Sequence, residues 1–229
     1  MISGGTKGIG KAIIKEFAQR GFSIATFARS QNGLDKLKAE IEKEYEVEVY
    51  TEALNVDDKE GVNGFAQRVL SKFSKVDVLV NNAGFFEPGM IGEEEDGVLE
   101  RTLQVNLNGS YYLSRAFMPS FKEHQHGHIF NICSIASITA YTNGGSYCIS
   151  KYALLGFSRV LREEMKAFNV AVTAMLPGAT YTDSWASSGI PEERFMKPED
   201  VGKSVFDIFS VSKSTVIEEV ILRPMQGDI

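Results

Sequence analysis

Short apolar runs alternate with segments of helical period along almost the whole chain. Ile9, Ala12, Ile13 and Phe17 recur at three- and four-residue spacing, which predicts a helix directly behind the apolar start Met1–Ile2. Leu34, Leu37 and Ile41 mark a second helix, and Val62, Phe65, Ala66, Val69, Leu70 and Phe73 a third. Between them, Ser23 to Ala28, Val47 to Leu54 and Val76 to Val80 read as strands. A long helix is expected from about Asp96 to Phe121, and a strand from His128 to Ile132. A helix then runs from about Ser146 to Phe168 and a strand from Val170 to Leu176. A helix around Val201 to Phe209 and a strand over Val216 to Leu222 close the chain. The first strand is expected to be cut short, because Met1 and Ile2 cannot fill a central strand of about 5 residues.

Seven strands alternating with helices predict an α/β fold: a parallel sheet covered on both faces, since right-handed crossovers place the helices there. The pattern shows no repeat and no second composition regime. With 229 residues, one domain over 1–229 is expected. In such sheets ligands bind beyond the carboxyl ends of the strands, so residues just after a strand face the site.

Composition narrows the function classes. The net charge of −6 has no basic stripe against it, which argues against nucleic acid as a partner. No apolar run approaches the ~18 residues of a membrane span, and no signal-peptide pattern opens the chain. Cys133 and Cys148 suit a reducing cytoplasm, where each is expected to be a small core residue. Four glycines among the first ten residues are unusual, and point to a backbone that approaches a ligand closely.

Three motifs carry chemistry. Ser3-Gly4-Gly5-Thr6-Lys7-Gly8-Ile9-Gly10 follows the first strand and opens the first helix, where a pyrophosphate can rest on the helix N-terminus. Asn81-Asn82-Ala83-Gly84 follows the fourth strand and offers small residues and amides to a flat ligand. Tyr147 and Lys151 stand four apart on a helix, so the ammonium can lie near the phenol and lower its pKa toward a general acid's range. Ser134, just past the fifth strand, can reach the same substrate oxygen. Each motif also has a bland reading: a glycine-rich turn, a tight turn, and a chance Tyr–Lys pair.

Together and in this order, the motifs resemble the short-chain dehydrogenase/reductase superfamily over essentially the whole chain. The resemblance implies a doubly wound Rossmann-type sheet of order 3-2-1-4-5-6-7 and an NADP(H)- or NAD(H)-dependent reaction on CH–OH/C=O. It assigns Asn106, Ser134, Tyr147 and Lys151 to catalysis. To the cofactor it assigns Gly4, Thr6, Lys7, Gly8, Ile9 and Gly10, then Asn55 and Val56, then Asn82, Ala83 and Gly84. Tyr147, Lys151, Pro177, Gly178, Thr180 and Thr182 complete the set. Ser3 stands where the family usually has Thr, and Asn55 where many members have Asp beside the adenine. The tail after Ile217 is similar to that of sepiapterin-reductase-like carbonyl reductases. A 3-oxoacyl-carrier-protein reductase and a non-catalytic dinucleotide sensor are the alternatives.

Cofactor choice follows from the end of the second strand. An NAD site needs an acid there, but Ala28 is followed by Arg29 and Ser30. A guanidinium binds a 2′-phosphate, and Lys7 can approach it from the other side, so NADP(H) is expected. The substrate is expected to be a small neutral carbonyl, walled by Phe85, Phe86, Met90, Tyr141, Trp185 and Phe195, with a substrate loop at about 178–197. Trp185 is either a core anchor or a lid contact.

No metal is expected. His124, His126 and His128 lie at the amino end of the fifth strand and read as a solvated turn. Glu93 to Asp96 are expected to favour the N-terminus of their own helix, or else to repel an acidic carrier at the mouth. Apolar residues on more than one face of the helices around Tyr147 and Tyr111 predict a homodimer or homotetramer.

Overall fold

The computed structural model describes residues 1–183, 185 and 188–229. Its centre is one seven-stranded sheet of order β3-β2-β1-β4-β5-β6-β7, with every neighbouring pair parallel. The strands are β1 (Ile2–Ser3), β2 (Ile24–Ala28), β3 (Val49–Ala53), β4 (Val78–Asn81), β5 (Gly127–Ile132), β6 (Val170–Pro177) and β7 (Glu219–Leu222). The helices are α1 (Gly8–Ala18), α2 (Gln31–Tyr45), α3 (Lys59–Phe73), α4 (Val98–Leu103), α5 (Gly109–His124), α6 (Gly145–Met165) and α7 (Pro198–Phe209). This is the doubly wound Rossmann arrangement expected from the sequence.

Successive strand residues feed opposite cores. Phe27, Leu79 and Ile129 pack with Phe65, Leu113 and Phe117 under α3 and α5. Val78, Val80, Phe130 and Ile132 pack with Ile13, Phe17, Leu37 and Val205 under α1, α2 and α7. Burial on both faces explains why the central strands read as apolar runs rather than alternating ones. No described helix is long and apolar enough to cross a membrane.

The expected helix from Asp96 to Phe121 is instead two helices. Gly97, at φ +90°, starts α4 at Val98, and one wide π-type turn over 104–108 separates α4 from α5. Two features mark that turn. An added Cβ on Gly109 would meet a Val56 methyl at 2.6 Å, and the Asn106 side chain is drawn fully inside. Such turns preserve the apolar period on either side, so the pattern alone does not reveal them.

His128 is also corrected. It is not in a solvated turn but buried in β5, stacked on Phe130 at 3.9 Å. Thr173 Oγ1 donates its one proton to the Ile217 carbonyl at 2.6 Å, so it accepts from His128 Nε2–H at 2.7 Å. Burial holds the imidazole neutral, with its pKa pushed down to about 3. A depressed histidine pKa stabilises the fold above its unfolded value near 6.5, and that stability is lost as pH falls toward 3. His128 should therefore contribute about 2 kcal/mol to the stability lost in urea denaturation between about pH 7 and pH 5. His128→Phe should reduce the pH slope by that share; an unchanged slope contradicts the assignment.

Candidate active site

The carboxyl ends of β1, β4, β5 and β6 lie side by side in the sheet, and the glycine turn, Asn82 to Gly84, Ser134 and Gly178 follow them directly. The glycine turn crosses first. Gly8 has φ +55°, and a Cβ there would approach the Thr182 methyl at 3.1 Å. A Cβ on Gly10 would lie 2.5 Å from both the Gly4 carbonyl oxygen and Asn82 Nδ2. Glycine is therefore required at Gly8 by its backbone conformation and at Gly10 by the close approach of β4. The N-cap of α1 is Lys7, whose side chain caps nothing, so the positive end of α1 faces the cleft without a side-chain acceptor. This geometry fits a pyrophosphate.

β4 is tied to the turn. Asn82 Nδ2 donates to the carbonyls of Ser3 and Gly4, while Ser3 Oγ accepts from the backbone N–H groups of Asn82 and Ala83. Gly84 follows, exposed, leading toward Asn106 and Lys151. On the far side Ser30 caps α2 by accepting from Gly33 N–H at 3.2 Å, with the Thr6 methyl packed beside it. Arg29 is exposed at the end of β2, and Asn55 is exposed after β3 with Val56 half-buried beside it.

Lys7 stands differently from expectation. Its ammonium makes a 2.6 Å ion pair with Asp183, so it reaches toward the 178–197 loop. That loop begins at Pro177 and Gly178, whose N–H bonds the Leu222 carbonyl, and continues through buried Thr180 to Thr182 over Gly8. Trp185 packs on Phe195 at 5.2 Å, and Phe195 on Tyr181 at 5.7 Å. Phe195 is buried, so these rings anchor the loop to itself rather than wall a pocket. Ser184, Ala186 and Ser187 of the loop lie outside the described residues.

Ser134, Tyr147, Lys151 and Asn106 converge at the end of β5. Ser134 Oγ accepts from Ala136 N–H at 3.1 Å, and Ser137 completes a reciprocal cap. Burial pushes the Tyr147 phenol up to about 12, against a smaller downward pull from the Ser134 hydroxyl beside it. The expected lowering by Lys151 is absent. Its ammonium donates to the Ile132 carbonyl at 2.9 Å and lies 5.8 Å from the Tyr147 ring centre, while burial lowers its own pKa.

Asn106 is bonded through both ends of its side-chain amide. Its amide donates to the Phe85 carbonyl and Ser150 Oγ, both at 2.9 Å, and its oxygen accepts from Phe85 N–H at 2.7 Å. It therefore clamps the loop after β4 that carries Phe85 and Phe86. Phe86 meets the Tyr147 ring edge-on at 4.8 Å. Beyond them an apolar concavity of about 510 Å³ is lined by Met90, Ile91, Tyr141, Ile149 and Tyr152.

Sequence reasoning missed Ser150, Ser137 and Asp183. Only Ser137 left a local signal, as the second serine of Ser134-x-x-Ser137. No group of three potential metal ligands occurs among the described residues.

The family described as short chain dehydrogenase matches residues 1–192. Sepiapterin reductase of Chlorobaculum tepidum is 31% identical over 100% of this chain and 97% of that protein. A 3-oxoacyl-[acyl-carrier-protein] reductase of Thermotoga maritima is 30% identical over 96% and 94%. Among solved structures, the alcohol dehydrogenase of Thermococcus sibiricus complexed with 5-hydroxy-NADP has a TM-score of 0.90. It is 31% identical over 98% of this chain and 95% of that one. The L-sorbose reductase of Gluconobacter frateurii, complexed with NADPH and L-sorbose, has a TM-score of 0.90 at 25% identity, covering 97% and 94%.

Proposed function

The chain belongs to the short-chain dehydrogenase family, and from that premise we propose that it is an NADP(H)-dependent reductase of small neutral carbonyl compounds: a ketone, aldehyde or diketone reductase, or one similar to sepiapterin reductase. The observation that carries this reading is the convergence of Ser134, Tyr147 and Lys151 beyond the carboxyl end of β5, in a sheet whose first strand runs into a glycine-rich turn at the N-terminus of α1. NADP(H), when bound, supplies the hydride.

The remaining work falls to this chain. The open N-terminus of α1 and the backbone of Gly8 to Gly10 hold the pyrophosphate. Arg29, with Ser30, meets the 2′-phosphate, and Asn55 with Val56 flanks the adenine. Asn82, Ala83, Gly84, Pro177, Gly178, Thr180 and Thr182 line the nicotinamide side. Ser134 Oγ–H donates to the substrate oxygen. Tyr147, protonated throughout the neutral range, gives its proton to that oxygen as the carbonyl is reduced. Lys151 bonds the ribose hydroxyls and carries a positive charge behind the phenol. The Asn106 amide hydrogens are both taken by Phe85 and Ser150, so its part in a proton relay to solvent is to accept from a water through the side-chain oxygen that also accepts from Phe85 N–H.

The acidic rim favours a free small molecule. Glu93, Glu95 and Asp96 are all exposed beside the mouth, and their charge repels an acidic carrier protein. This disfavours the 3-oxoacyl-carrier-protein reaction of one relative. Both cysteines are buried and free, which suits a reducing cytoplasm. We place the cofactor site and the 178–197 substrate loop in one domain over 1–229.

Assembly follows from the outer face of α6. Leu154, Leu155 and Leu161 pack inward, yet Ile149, Tyr152 and Val160 remain exposed, as do Leu99 and Tyr111 nearby. This second apolar stripe supports a homodimer or homotetramer through α5 and α6. Light scattering at micromolar concentration should give a multiple of the 25.3 kDa chain mass; a monomer contradicts it.

A further inference from the structure

We propose that Glu94 is a positioning residue for the reaction: it fixes the first turn of α6, and with it Tyr147, against the loop that walls the site. The inference rests on the reading of Tyr147 as proton donor. The acidic run does not serve its own helix as expected. Glu94 turns away from α4 and accepts from Ser146 N–H at 2.8 Å and from Ser146 Oγ–H.

Helix α6 lacks a cap of its own. Its N-cap is Gly144, which has no side chain, and no acid stands in its first turn. The first N–H groups of a helix need an acceptor, and the positive end of its dipole favours an anion. Glu94 supplies both from 52 residues away. Its two Ser146 donors hold the carboxyl below the usual carboxylate range. Ser146 is only 2% exposed and directly precedes Tyr147.

The joint has no slack. Gly89 N–H donates to the Asn143 carbonyl at 3.0 Å, and Gly89 pairs with Gly144 as a parallel bridge. A Cβ on Gly145 would strike the Glu94 carboxylate and sit 2.6 Å from the Gly89 carbonyl. The same loop is held at its other end by Asn106 through Phe85, and it places Phe86 against the Tyr147 ring. Tyr147 is thus held between two clamps, Asn106 on the loop and Glu94 on the helix. Releasing the second lets the first turn of α6 fray and the phenol drift from Ser134.

Three variants separate positioning from general stability. Glu94→Ala removes the cap, and Glu94→Asp keeps the charge but falls one methylene short. Glu94→Gln keeps an acceptor at the right reach. Ala and Asp should each lower kcat about tenfold with NADPH affinity unchanged, and Gln should retain most of the activity. Hydrogen exchange over residues 143–150 should quicken in Ala and Asp but not in Gln. Full kcat in Ala, a loss that Gln does not relieve, or an equal loss of NADPH affinity overturns the proposal. If the unmodified protein reduces no carbonyl, the reading of Tyr147 fails instead. In that case unchanged exchange in Glu94→Ala overturns the cap and faster exchange upholds it.

Discussion

Replacing Tyr147 by Phe should cut turnover of the best carbonyl substrate at least ~100-fold, the lower range for losing a general acid, and leave NADPH affinity nearly intact. The substitution keeps the ring that Phe86 meets at 4.8 Å, so packing is preserved and only the proton source is lost. Because burial holds the phenol near 12, Tyr147 keeps its proton well beyond neutral pH. Carbonyl reduction should therefore be level across the neutral range. The reverse oxidation needs the phenolate, so it should rise roughly tenfold per pH unit below that value. Steady-state rates in both directions check this. A Phe variant with near-normal turnover removes Tyr147 from the mechanism.

Arg29→Ala should weaken NADPH by roughly 10- to 100-fold and leave NADH almost unchanged, the span given by one charged hydrogen bond of ~1.5–3 kcal/mol. The argument is local. β2 ends at Ala28, so no carboxylate stands where a ribose 2′-hydroxyl would seek an acceptor. Arg29 follows it, exposed at the rim of the cleft. Lys7 pairs with Asp183, both largely exposed, and the guanidinium is expected to be the main determinant. Fluorescence titration of both cofactors reads the effect directly. Equal affinity of the unmodified protein for NADH and NADPH contradicts the choice of cofactor.

The sheet was legible because strands buried on both faces leave continuous apolar runs, and the helices between them leave a 3.6-residue period. The glycine turn, the Tyr147–Lys151 pair and Ser134 were legible because their meaning is local: they act within a turn or a helix step. What was hidden depends on partners distant in sequence. Three closely spaced histidines look like a surface turn, yet His128 finds Thr173 45 residues later and becomes core. Glu94 looks like a cap for the next helix, but its acceptors serve a helix 52 residues on. The break at 104–108 was invisible because Leu103 and Leu107 keep the apolar spacing through it. Lys151 illustrates a different limit. The i, i+4 rule placed it on the right face, but its Ile132 bond, which decides what it does to the phenol, belongs to the sheet.

The most direct test of the account is reduction of a panel of neutral ketones, aldehydes and diketones by the unmodified protein, using NADPH deuterated on the transferable position of its nicotinamide. The account predicts NADPH consumption with at least one carbonyl, deuterium on the carbinol carbon of the product, and loss of both in Tyr147→Phe. NADPH that binds but is consumed no faster than in buffer, across the whole panel, contradicts it.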